Sequence, residues 1–145
     1  MKKYLLDANV LLDFFLKRTP WAVDVACIWD AHRKGTIRAF IAAFSVPTIF
    51  YIVRRQVGMT TAQMVVQGCL ATLEIAPVDH ATLLAAQGLT GPDFEDNLQI
   101  ACAIAIGVDA IVTRDPRGFV AAPLPVLAPA DVVASLSVPP TQITP

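Results

Sequence analysis

No run of this 145-residue chain is long and apolar enough to cross a bilayer; the longest, Ala39 to Val53, falls short and contains Pro47. The amino terminus, MKKYLLDANVLLDF, begins as a signal peptide does, but Asp7 and Asp13 break the apolar stretch such a peptide requires. A soluble, cytoplasmic protein without membrane association is expected. Cysteines are few: Cys27, Cys69 and Cys102 are odd in number and widely spaced inside apolar segments. With no C-x-x-C pair and no histidine at metal-ligand spacing, they read as reduced core residues. Neither a P-loop nor a G-x-G-x-x-G is present, which leaves nucleotide cofactors without support. A net charge of −1 gives no general attraction to polyanions, so nucleic acid would have to be met by a local basic patch or through bound metal.

Apolar residues make up 55% of the chain, enough at this length for one sizeable core. A domain over residues 1–136 is expected, followed by a flexible tail over 137–145 that holds three prolines. Lys3 to Leu6 reads as a strand ending on Asp7, and helical spacing follows at Val10, Leu11, Phe14 and Phe15 with Asp7 or Asn9 as cap. Further helices are expected from Trp21 to Lys34, from Pro47 to Gln56 behind a Ser45 cap, from Thr60 or Thr61 to Leu73, and from Asp79 to Leu89. Strands are expected at Ile37 to Ile41, Glu74 to Val78, Asp109 to Thr113 and Pro125 to Leu127, with a last short helix at Pro129. The alternation implies an α/β/α sandwich around a parallel sheet.

Gly91 to Phe119 is the most informative stretch. Asp93, Glu95 and Asp96 precede an almost wholly apolar segment that should be a buried helix, Gly107 stops it in a left-handed conformation, and Asp115 follows the next strand. Asp7 and Asp115 then meet at the carboxyl ends of two strands, where open α/β sheets place ligands. Singly, each acid has a bland reading as a cap or turn residue. Gathered at one edge of an apolar core they would repel one another, and Arg114 and Arg117 are the chief bases near them in sequence. A hard divalent cation with oxygen ligands, Mg²⁺ or Mn²⁺, is the simplest partner. Helical spacing favours Asp96 and Asp93 as ligands and turns Glu95 to solvent. His32 and His80 read as surface residues, and the pairs Lys17-Arg18, Arg33-Lys34 and Arg54-Arg55 suit either helix dipoles or phosphates.

Leu5-Leu6-Asp7-Ala-Asn9-Val-Leu-Leu-Asp13, Asp93-Phe-Glu-Asp96 and Ile111-Val-Thr113-Arg114-Asp115 with Gly118-Phe119 occur in an order that resembles the PIN domain family. Those metal-dependent ribonucleases include the VapC-type toxins of bacterial toxin–antitoxin pairs. The resemblance implies a five-stranded parallel sheet, an acidic pocket that binds Mg²⁺ or Mn²⁺, cleavage of single-stranded RNA and an antitoxin partner. Carried onto this chain, it makes Asp7, Asp96 and Asp115 catalytic metal ligands, with Asp93 assisting and Asn9 and Thr113 supporting. One departure stands out: no Asp or Glu lies between Asp30 and Glu74, and the family's further carboxylate corresponds to Thr48. A degenerate domain that binds RNA or a protein without turnover is therefore the alternative. A phosphatase-like hydrolase with Asp7 as nucleophile ranks lower, because the Gly-Thr expected after such a motif is missing. Apolar helix surfaces at Ala81 to Leu89 and Gln63 to Leu73 lead us to expect a homodimer.

Overall fold

The computed structural model describes residues 1–136; the expected tail, 137–145, lies outside the described residues. Five strands, β1 (Lys3–Leu6), β2 (Arg38–Ala42), β3 (Glu74–Ala76), β4 (Ala110–Val112) and β5 (Val126–Leu127), form one parallel sheet in the order β3-β2-β1-β4-β5. A parallel sheet must have both faces covered, and adjacent residues divide between them. Leu6, Ile41 and Val112 pack on one side with Val10, Ile28, Ile49 and Val53, whereas Leu5, Phe40 and Ile111 pack on the other with Ile100 and Phe119. The first face carries α1 (Ala8–Phe15), α2 (Trp21–Arg33), α3 (Ser45–Val57), α4 (Met59–Thr72) and α7 (Pro129–Leu136). The second carries α6 (Phe94–Ile106), with α5 (His80–Gln87) against it through Ala86, Leu98 and Ala101. The α/β/α sandwich expected from the sequence is the observed architecture.

Strand order reverses at β1. The chain moves outward from it through β2 and β3, then returns to add β4 and β5 on its other side. Such a switch point opens a crevice at the carboxyl ends of the two central strands. Leu6 is in register with Val112, and the Asp7 amide donates to the Val112 carbonyl at 2.9 Å, which brings Asp7 beside Thr113.

Several local expectations change. α3 starts at Ser45, not Pro47, and Ser45 does not cap it: the residue is 1% exposed and its hydroxyl is turned into the core. Gly58, at φ 100°, both ends α3 and begins α4, so Thr60 and Thr61 lie inside the helix. Cys27 is exposed, unlike the buried Cys69 and Cys102, because it falls on the outer side of α2. α6 is buried from Asn97 to Ala103, but its last turn emerges and Ile104 is 51% exposed. Gly107 adopts the expected left-handed conformation at φ 68°. His32 is no bare surface residue: its Nδ1 accepts from the Ala39 amide at 3.0 Å, which leaves Nε2 to donate to the Thr72 carbonyl at 2.6 Å. It thereby ties α2 to the start of β2 and the end of α4. Among the described residues no helix is long and apolar enough to cross a membrane.

Candidate active site

The crevice between β1 and β4 collects the carboxylates. Asp7 sits at the N-cap position of α1 but makes no side-chain cap bond, so its carboxylate is free for another role. Its Oδ2 accepts the Thr113 hydroxyl at 2.9 Å, and that same hydroxyl oxygen accepts the Asp115 amide at 3.1 Å. Thr113, 1% exposed, thus bolts the ends of the two central strands together. Asp93 caps α6, its Oδ1 accepting the Asp96 amide at 3.1 Å, and so orients the turn that carries Asp96. Asn9, which the sequence reading gave a supporting role, is exposed on α1.

A small cavity of about 40 Å³ lies between α1, α3 and α6, lined by Asp7, Ala8, Phe44, Ser45, Thr48, Glu95, Asp96 and Gln99. That volume holds one or two water-sized groups. Thr48 stands in the first turn of α3 at this wall, its hydroxyl donating to the Phe44 carbonyl at 3.4 Å. Glu95 is exposed, as the spacing argument expected, and it also lines the cavity.

Electrostatics identify the strained members. Burial, followed by the charges of Asp93, Asp7, Asp115 and Glu95, pushes the Asp96 carboxyl up to about 6. Burial also raises Asp7, against the lowering effect of the Thr113 hydrogen bond. Asp115 moves the other way, held down chiefly by Arg117, whose Nε and terminal nitrogen bind its two oxygens at 2.9 and 3.1 Å. Arg114 adds a smaller lowering charge at Asp115, but its hydrogen bonds go elsewhere. It donates to Asp13 through Nε at 2.7 Å and a terminal nitrogen at 3.1 Å, and stacks over Trp21 at 3.8 Å. Asp13 itself is fully buried, a role its place in an apolar helical stretch did not announce.

Two further residues were missed. Gly118, in the 3-10 turn Pro116–Phe119, lies so close under Asp96 that a β-carbon there would fall 1.8 Å from Oδ2. Gln99, 3% exposed, donates to the Ser45 hydroxyl at 3.1 Å and lines the cavity with Asp96, from which it is one helical step of three. Its position in an apolar run was the available signal, since a polar residue there needs a polar partner.

The donors converging on the cavity are all oxygens, which suits a hard cation rather than zinc. Among the described residues no three His, Cys, Asp or Glu side chains stand together as a ready-made cage. Asp7 and Asp96 are the two raised carboxylates that face the same space. A roomier cavity of about 300 Å³ between α5 and α6 is mostly apolar, and its one acid, Asp79, is committed to capping α5 through Thr82.

Comparison with known proteins agrees with the fold. A family profile described as PIN domain matches residues 3–117. A chain of the DNA-bound VapBC complex from Salmonella typhimurium superposes with a TM-score of 0.67 at 18% identity, covering 89% of this chain and 99% of that one. VapBC2 from Rickettsia felis, bound to a promoter DNA fragment, gives 0.64 at 16% identity over 87% and 98%. VapC20 of Mycobacterium tuberculosis, described as a toxin cleaving the sarcin–ricin loop, gives 0.61 at 10% identity over 74% and 86%. A comparison with curated proteins finds no match.

Proposed function

The chain belongs to the PIN domain family, and from that premise we propose that it is a Mg²⁺- or Mn²⁺-dependent endoribonuclease, cleaving single-stranded RNA as the toxin of a toxin–antitoxin pair. The observation that carries the reading is the convergence of Asp7 and Asp96, both with raised carboxyls, on one small oxygen-lined cavity. Mg²⁺ is commonly held by one or two carboxylates and keeps several waters, so the absence of a ready-made cage among the described residues is compatible with it. When bound, such a cation supplies an acidified water and offsets charge on the scissile phosphate. Asp7 and Asp96 would hold it directly, with Asp115, now paired with Arg117, as a further carboxylate beside them, and Asp93 would assist by fixing and charging the first turn of α6. Thr113 keeps Asp7 in place. Purified protein with Mn²⁺ should cut unstructured RNA, and Asp7→Asn should not; no cutting by either protein sinks the proposal.

Gly118 tests the geometry without altering charge. Its added β-carbon would meet Asp96 Oδ2 at 1.8 Å and Cγ at 2.7 Å, so Gly118→Ala must turn that carboxylate out of its present place. Mn²⁺ affinity is expected to fall about tenfold, the scale of losing one well-placed oriented ligand. Calorimetric titration giving an unchanged affinity would show that Asp96 is not held where the reading needs it.

A non-catalytic domain that binds RNA or protein is the second reading, and Thr48 favours it. The wall at α3 presents a hydroxyl where an acid would add charge. Affinity for divalent ions rises with ligand charge, so Thr48→Glu should tighten Mn²⁺ binding about tenfold and raise any RNase activity with it. Equal affinities would mean that Thr48 is not the vacated position. Saturable RNA binding without cleavage under any divalent metal would favour the second reading over the first.

An antitoxin partner follows by analogy with the VapBC complexes, and we propose self-association as well. Leu83 and Leu84 on α5 and Met64 and Leu70 on α4 are exposed apolar residues, at 42%, 55%, 65% and 58%. A homodimer is expected by light scattering at tens of micromolar; a monomer mass there counts against it.

A further inference from the structure

The Gln99 amide has one end tied and one end unpartnered. Its Nε2 donates to the Ser45 hydroxyl at 3.1 Å, while Oε1 has no hydrogen-bond partner within the described protein although the residue is 97% buried. A buried carbonyl oxygen without a donor is costly, so a group that supplies one is favoured at that spot. The space Gln99 borders is the cavity shared with Asp7, Thr48 and Asp96. Asp96 and Gln99 lie on one face of α6, so both point toward the same occupant.

We propose that Gln99 is a positioning residue of this site, its amide oxygen accepting a hydrogen from a water in the hydration shell of a divalent cation while Ser45 fixes the amide. The inference rests on the reading of the cavity as a divalent-cation site. Water bound to such an ion is a strong donor, and ions that keep several waters need acceptors around them. Asp7 and Asp96 provide these on one side at the expense of mutual repulsion. The neutral oxygen of Gln99 would provide another and adds no charge to a crowded cluster. This pairing accounts for the burial of Ser45 at the start of α3: its hydroxyl anchors the Gln99 amide, whose Oε1 is left without a partner.

The test compares wild type, Gln99→Met and Gln99→Glu, using the electron paramagnetic resonance signal of free Mn²⁺ for affinity and thermal melting in EDTA for the metal-free state. Gln99→Met keeps the volume and removes the acceptor, and should weaken Mn²⁺ binding about tenfold, the usual effect of losing a group that orients the ligand shell. Gln99→Glu keeps the acceptor and adds charge; it should bind more tightly than Gln99→Met and melt about 3 °C below wild type in EDTA, a deficit that Mn²⁺ removes. Equal affinity in all three proteins, or weaker binding by Gln99→Glu than by Gln99→Met, overturns the role of Gln99 and leaves the cation site standing. If wild type shows no Mn²⁺ binding, the cation site falls and Gln99 with it.

Discussion

Asp96→Asn should abolish the proposed RNA cleavage, weaken Mn²⁺ binding by about a hundredfold, and at the same time stabilise the metal-free protein at neutral pH. The two effects share one cause. Burial and four neighbouring carboxylates push Asp96 up to about 6, so its charged form is disfavoured in the folded chain relative to the unfolded one. A carboxyl raised on folding contributes stability that is fully present below its unfolded value of 3.8 and lost as pH rises through about 6. The wild type in EDTA should therefore weaken between those two values, and Asp7, raised in the same direction, adds to the slope. Asn removes the Asp96 share. Because the group is partly solvated, the gain at neutral pH is on the order of 1 kcal/mol rather than the full shift. Metal reverses the sign: a cation favours the charged form, so Mn²⁺ affinity should fall about tenfold per pH unit below about 6 in the wild type and level off above it. Urea denaturation in EDTA across this range, with wild type and Asp96→Asn side by side, decides the first half. Parallel pH slopes for the two proteins would mean that Asp96 does not carry the strain.

Features set by local chain chemistry were legible in the sequence. Gly107 after an apolar run can only end a helix in a left-handed turn, and Asp93 three residues before Asp96 can cap the helix that Asp96 enters. The alternation of strands and helices leads to a parallel sheet, and the sheet's switch point brings Asp7 and Thr113 together through the β1–β4 register. Features set by how two elements meet were not legible. Ser45 has every local attribute of a cap, but the start of α3 packs against α6, and Gln99 claims its hydroxyl. Glu95 is exposed as its spacing implied, yet it also borders the cavity, a second role that a helical wheel does not show. The space beneath Asp96 depends on Gly118, twenty-two residues away, and no pattern in either segment records that approach. Arg114 looked like a direct partner for Asp115 because they are adjacent; its charge does lower Asp115 slightly, but its hydrogen bonds turn away to Asp13.

That last displacement gives the largest expected loss of stability. Arg114→Met should destabilise the protein by about 3 kcal/mol, close to 10 °C in melting temperature for a chain of this size. The reason lies with Asp13, which has no exposed surface and sits on α1 among Val10, Leu11 and Leu12. Arg114 grips both of its oxygens, at 2.7 and 3.1 Å, while Arg18 reaches only to 3.5 Å. Removing Arg114 leaves a buried carboxylate with that one distant partner, and also strips the guanidinium from the Trp21 ring. The pair is worth less than this loss suggests, because an apolar replacement of both members avoids the stranded charge. Asp13→Leu combined with Arg114→Met should consequently recover part of the stability, with a coupling of about 1–3 kcal/mol in a double-mutant cycle. The ion pair also anchors the segment between Thr113 and Asp115, the residues that hold Asp7 and face the crevice, so Mn²⁺ affinity should follow stability across the cycle. Urea denaturation of the four proteins in EDTA measures the coupling. If the double variant is less stable than Arg114→Met alone, Asp13 is held by something other than Arg114, and the stranded charge does not explain the loss.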